Sequence, residues 1–235
     1  MVAIARARAP LEACGFLVDV EGEERLIVAE NASDEPEDSF VIHPRDYARA
    51  EDTGRILAVW HSHAERPDPS EADRAFCERY ALPYVIVSAA YGNWIRIEPT
   101  GWQAPLEGRE WVAGAQDCVD LARDYYARIL GIEVLLPERG PYSWRDGGDP
   151  IAAHCGSLGF VWVPPRALRE HDVLVFRREG PIAHHVGIYL GGNEMLHHPR
   201  GQLSRRATYH DEWRRYTVGV LRHRSLLRPE DGFRE

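Results

Sequence analysis

Short apolar runs of extended character alternate along the chain with stretches of helical spacing, and no repeat or low-complexity tract interrupts them. In the first hundred residues, Phe16-Leu17-Val18, Arg25 to Val28, Ser39 to Ile42, Ile56 to Trp60, Tyr84 to Val87 and Trp94 to Ile97 predict strands. Helices are predicted over Arg45 to Asp52, after Pro44, and over Ser70 to Ala81, opened by Pro69-Ser70, with Tyr91-Gly92-Asn93 as a turn. This is an α/β or α+β unit. The breaker cluster from Pro99-Thr100-Gly101 to Pro105 sets a boundary that gives domains 1–100 and 101–235.

The second half opens with a strong helical pattern, Asp117 to Leu130, and passes through a Pro/Gly-rich stretch, Pro137 to Pro150, that fits no element. Asp172 to Phe176, His185 to Leu190, Glu194 to His197 and Thr217 to Leu221 then predict strands. Helix first and sheet afterwards is an α+β order.

Composition narrows the class. With 235 residues, 44% hydrophobic and 28% charged, the chain has globular proportions that exclude collagen-like or disordered behaviour. No run reaches the length of a membrane span, and Arg6 and Arg8 break the apolar start that a cleavable signal would need, so synthesis and retention in the cytoplasm are expected. All basic residues are arginine: 10 against 19 Asp and Glu in residues 1–100, and 18 against 18 thereafter. Neither half has the basic excess of a phosphate-backbone binder, so no nucleic-acid partner is expected. Cys14, Cys77, Cys118 and Cys155 lack any C-x-x-C spacing and read as thiols.

Two constellations carry chemistry. His61-Ser62-His63 follows a buried strand, whose period of two points both imidazoles to one face. Asp73, one turn into the next helix, can add an oxygen, giving three protein ligands and an open position, the arrangement of catalytic zinc. Glu12 is the candidate base. Ser70 and Asp73 also spell a capping box, a purely structural alternative. The string Glu12…His61-Ser62-His63…Ser70-Glu71-Ala72-Asp73 resembles the JAMM/MPN metalloprotease signature. That resemblance implies zinc held by His61, His63 and Asp73, Glu12 as proton acceptor, and Ser70 as support for the tetrahedral intermediate. The segment Ala64 to Pro69 is one residue shorter than is usual there, with Ala64 in place of a proline.

In the second half, Cys118 falls in the first turn of a helix, where free N–H groups and the dipole favour a thiolate. His185 supplies a base, on the strand side opposite Val186, Ile188 and Leu190. A three-residue Gly191-Gly192-Asn193 loop would put His197 opposite Gly187 and on the His185 side, whereas a two-residue Gly191-Gly192 loop would choose His198; the three-residue loop, and with it His197, is expected. A core role for Cys118 is the bland alternative, and His154-Cys155, whose side chains diverge in an extended segment, reads as structural.

The order Asp117-Cys118, Asp172 to Phe176, His185-Val186-Gly187-Ile188-Tyr189 and His197 is similar to the NlpC-type cysteine peptidase pattern, although Trp111 stands where a tyrosine is common. The resemblance implies an α/β JAMM/MPN-like domain fused to an α+β papain-like domain, with Cys118, His185 and His197 catalytic. This double-domain order resembles the tail assembly protein K family of lambda-like phages, including Glu107-Gly108-Arg109 and Trp213-Arg214-Arg215-Tyr216. It implies hydrolysis of cell-wall peptide (peptidoglycan) amide bonds, tail-tip proteins as partners, and action at the tail tip and cell wall. A structural tail-tip plug and a protease that trims tail proteins are the alternatives.

Overall fold

The run predicted around Phe16 forms a strand covered on both faces, which explains why the first-half strands read as nearly continuous apolar sequence. In the computed structural model, residues 1–137, 154–178, 180 and 182–231 are described. The chain divides into two compact units, Met1–Gln103 and Ala104–Glu235.

The first unit is a five-stranded sheet of β1 (Cys14–Val20), β2 (Glu23–Ala29), β3 (Arg55–His63), β4 (Tyr84–Ser88) and β5 (Trp94–Ile97), in the order β2-β1-β3-β4-β5. Only β3 and β4 are parallel, and the crossover between them carries α3 (Glu71–Tyr80). Helix α1 (Val2–Arg8) buries Ala5 on one face with Ala58, Trp60, Val85 and Val87. Ala50 of α2 (Pro44–Thr53) and Cys77 of α3 cover the other with Phe16, Val18, Val59 and Tyr84. Ser39 to Ile42 is not the expected strand: its one bridge is Ile42 to Asn31, and the segment turns Phe40 inward. The breaker cluster is clasped, because the Glu78 carboxylate accepts the N–H groups of Thr100, Gly101 and Trp102 at 2.7, 2.9 and 2.9 Å.

In the second unit, α4 (Cys118–Tyr125) runs on as a π-helical turn, Tyr126–Leu130, and packs against β8 (His185–Gly191). The antiparallel sheet also contains β6 (Phe160–Val163), β7 (Val173–Phe176), β9 (Glu194–His197), β10 (Arg205–Thr208) and β11 (Thr217–His223), in the order β10-β9-β8-β7-β11-β6. Val175, Val186, Ile188 and Leu196 join Leu121 in one core, while Leu174, Phe176, Met195 and Val220 face α5 (Asp211–Tyr216) and Tyr209. The fully buried Arg222, on β11, holds Asp172 bidentately, Nε to Oδ1 at 2.8 Å and Nη2 to Oδ2 at 2.7 Å. Most of the Pro137 to Pro150 stretch lies outside the described residues. Among the described residues no helix is long and apolar enough to cross a membrane.

The fold is therefore mixed: an α/β unit followed by an α+β unit, as the residue pattern and its resemblance implied.

Candidate functional site

Strand β3 runs past Trp60 to His63, so Val59, His61 and His63 project to the face covered by α2 and α3. The two Nε2 atoms lie 3.1 Å apart. Asp73, at the third position of α3, brings Oδ1 to 3.1 Å from His61 Nε2 and Oδ2 to 3.5 Å from His63 Nε2. Phe40 stacks on the His61 ring at 4.5 Å, and the Arg66 carbonyl lies 3.2 Å from His63 Nδ1.

Ser62 ties this strand end to the residue after Glu12, because its Oγ accepts the Ala13 N–H and its own N–H donates to the Ala13 carbonyl, both at 2.9 Å. Glu12 Oε1 thereby sits 3.8 Å from His63 Nε2.

Electrostatics follow from this crowding. Burial pushes the Glu12 carboxyl up to about 8, against the pull of His63 and with reinforcement from Asp73. Burial would raise Asp73 too, but His61, His63 and Ser70 hold it well below the carboxylate range. For His63, burial lowers the imidazole while Asp73 and Glu12 raise it by more. Two imidazole lone pairs and a carboxylate oxygen thus converge within 4.8 Å of one another, a donor set that fits a divalent cation of the zinc type. The Ser70 hydroxyl is engaged in this structure: it donates to Asp73 Oδ2 at 2.7 Å and accepts the Asp73 N–H at 3.1 Å.

In the second unit, Cys118 opens α4 behind the N-cap Asp117. Asp117 Oδ1 accepts the N–H groups of Val119 and Asp120 at 2.8 and 3.2 Å, and Asp120 Oδ2 accepts the Asp117 N–H, a complete capping box. The carboxylate of Asp117 thus occupies first-turn donors that the sequence left open for a thiolate. Cys118 itself is partly buried against the core that holds Leu121, Val186 and Ile188.

His185 begins β8, and its Nε2 lies 3.1 Å from His197 Nδ1 on β9. Gly187 pairs with His197, and the missing side chain matters: a Cβ there would come within 3.2 Å of the His197 Cβ. The expected three-residue loop is not what forms. Gly191 pairs with Glu194 around a two-residue Gly192-Asn193 turn, both residues at positive φ, and Leu190 bulges out of the ladder. That bulge restores the register that the shorter loop alone would have shifted. His198, the alternative third residue, is fully buried with Leu196 on its own side of the strand, and Arg109 is the charged group nearest to it in effect.

Both histidines of the pair lie among aromatic rings. Phe176 stacks on His185 at 5.5 Å and 24°, and Trp213 of α5 meets His197 at 4.8 Å and 84° and His185 at 6.0 Å and 41°. Burial, then the neighbouring His197, His184 and His198, push His185 down to about 3. Burial, with Arg205 and His198, takes His197 down to about 4. These are neutral imidazoles at pH 7, the form that accepts a proton. Trp111 carries the Arg200 guanidinium 5.7 Å from its ring centre. Cys155 is buried in the core and His154 is exposed.

Sequence patterns gave no sign of Phe40, the Ser62–Ala13 pair or Trp213 as neighbours of these sites. Each reaches its site from a separate segment, and only tertiary structure supplies that proximity.

Comparison with known proteins gives two overlapping family matches. A family model of prokaryotic homologs of the JAB domain matches residues 1–114, and the NlpC/P60 family model matches residues 104–222. Tail tip assembly protein K of Escherichia phage N15 is 35% identical over 233 residues, covering 96% of this chain and 93% of that protein. The protein of the same name from Escherichia phage lambda is 36% identical over 183 residues, covering 77% of this chain and 89% of that protein. Among solved structures, the NlpC/p60 domain of peptidoglycan hydrolase SagA aligns with 50% of this chain and 89% of its own, at 19% identity and a TM-score of 0.34.

Proposed function

The chain belongs to the tail tip assembly protein K family, and from that premise we propose that it acts in phage tail-tip assembly as a two-site hydrolase. Its NlpC/P60 unit is read as a cysteine peptidase for amide bonds of cell-wall peptide, and its JAB-like unit as a zinc-site peptidase. On this reading domain 1–100 carries the zinc site and domain 101–235 the thiol site. Tail-tip proteins are its partners; it is made in the host cytoplasm and delivered to the wall.

The observation that supports the thiol assignment is the 3.1 Å contact between His185 Nε2 and His197 Nδ1, on neutral rings, in the unit whose α4 starts at Cys118. The Cys118 S–H proton passes to His185, and the sulfur attacks the amide carbonyl carbon. The amine leaves with that proton, and water, deprotonated by His185, hydrolyses the thioester. His197 holds the base in orientation throughout.

In the first unit His61, His63 and Asp73 would hold zinc, which supplies Lewis acidity toward a carbonyl or water when bound. Glu12, whose Oε1 lies 3.8 Å from His63 Nε2, is placed to take and return a proton at this site. Ser70 orients Asp73 through the helix cap.

The test is phage production from a Cys118→Ala genome, with particle assembly and DNA entry scored separately, alongside muropeptide release by the purified chain. Release by the wild type and not by the variant, with entry impaired, is expected. Full infectivity and unchanged release would sink the reading.

A further inference from the structure

His197 Nε2 is buried and has no hydrogen-bond partner, a condition that costs free energy whether the nitrogen carries a proton or a lone pair. Its Nδ1 is already engaged with His185 Nε2. The ring beside it is Trp213, with centroids 4.8 Å apart and planes at 84°, edge-to-face geometry in which a positively polarised edge meets a π face.

Resting on the cysteine-peptidase reading of this unit, we propose that Trp213 is a positioning residue whose indole face receives the His197 Nε2–H and so fixes the tautomers of both histidines. With Nε2 protonated, His197 Nδ1 is bare and accepts; His185 Nε2 therefore carries the proton and donates. That leaves His185 Nδ1 as a lone pair, the site that takes the Cys118 S–H proton. The opposite arrangement turns a His197 lone pair toward the negative π face. It also places the His185 proton on Nδ1, so that no basic nitrogen remains for the thiol. An N–H···π contact is a second-order interaction, but it selects between two states of otherwise similar energy.

The surroundings hold the indole in place. Asn193, in the β8–β9 turn, accepts from the Arg214 guanidinium at 2.7 Å and from the Tyr209 N–H at 2.6 Å, so α5 is tethered to the hairpin that carries the pair. Phe176 closes the box, 5.0 Å from Trp213 and stacked on His185. Burial first, and then His184, His198 and Arg205, disfavour protonation of the two rings, so the pair varies by tautomer and not by charge.

Nitrogen-15 NMR of the full chain reads the histidine tautomers directly. The wild type and Trp213→Phe are expected to show His197 and His185 as Nε2–H. Trp213→Leu should show mixed tautomers, with iodoacetamide alkylation of Cys118 and kcat for muropeptide both reduced about fivefold and KM unchanged. His197 found as Nδ1–H in the wild type overturns the proposal without any variant, as do wild-type tautomers in a folded Trp213→Leu chain. If the tautomers are as assigned but the wild type releases no muropeptide, the Trp213 assignment stands and the peptidase reading fails.

Discussion

Asp73 divides its carboxylate between Ser70 and His61: Oδ2 accepts the Ser70 N–H and hydroxyl at 2.8 and 2.7 Å, and Oδ1 lies 3.1 Å from His61 Nε2. Helix capping and metal ligation are therefore compatible uses of one side chain. Ser70→Ala should cost about 1 kcal/mol of stability and weaken zinc roughly tenfold, by freeing the carboxylate to rotate. Asp73→Ala should abolish stoichiometric zinc. Melting curves and elemental analysis of untagged protein check both, and unchanged zinc in Asp73→Ala would remove Asp73 from the ligand set.

Thiol reactivity should be uneven. Burial pushes the Cys14 thiol up to about 12 and the Cys77 thiol up to about 11, and Cys155 is buried in the core, whereas Cys118 is only partly covered. Brief iodoacetamide treatment at neutral pH, read by mass spectrometry, should label Cys118 at least about tenfold faster than the others. His185→Ala should slow that labelling by removing the base. Uniform labelling of all four cysteines contradicts this account.

Acid should weaken the second unit. His185, His197 and His198 sit at about 3, 4 and 4 in the folded chain, all below the ordinary imidazole value, with burial the first cause for each. The unfolded chain therefore binds protons that the folded chain refuses, so this contribution is fully present above pH 6.5 and lost as pH falls toward 4. Each histidine that stays neutral contributes a slope of about 1.4 kcal/mol per pH unit at most. Urea midpoints between pH 7 and 4.5 should fall, and His198→Gln should flatten the fall. A flat wild-type profile would mean that these rings are solvated.

The strands and caps were legible because short-range rules govern them. A continuous apolar run marked β3 and an alternating one marked β8, and Ser70 and Asp117 announced α3 and α4. Ser39 to Ile42 misled, since Phe40 stacks on His61 and the segment pairs only through the Ile42 to Asn31 bridge. The amphipathic signal of the seven-residue α1 and six-residue α5 is too short to read, and Trp213 reaches the histidine pair only through α5. The choice of His197 over His198 rested on a loop length that does not occur, and the Leu190 bulge compensates for it.

Arg222 and Asp172 are both fully buried and bond bidentately, so removing one partner strands the other's charge. Arg222→Ala should destabilise the second unit by roughly 3–5 kcal/mol. Zinc content of the first unit should not change. Denaturant unfolding with parallel metal analysis separates the two, and joint loss would show that the units do not fold independently.

Glu78 holds the backbone of Thr100, Gly101 and Trp102 with one carboxylate. Limited proteolysis of the wild type should therefore start beyond Trp102, toward Pro105. Glu78→Ala should open residues 99–102 to early cleavage. Identical first cuts in both chains would mean that the clasp does not protect the joint.

The Leu190 bulge also bears on how this hairpin tolerates length change. Deleting one of the two glycines, Gly191 or Gly192, lets Leu190 rejoin the ladder opposite Glu194 and keeps a two-residue turn, so Gly187 still faces His197. The hairpin is thus buffered against the loss of one codon. A second loss has no such slack: it moves the strand by one residue, and His198 would then occupy the place beside the base. Counting residues between the two strands is consequently a poor guide to which histidine serves, and the presence or absence of a bulge must be established first.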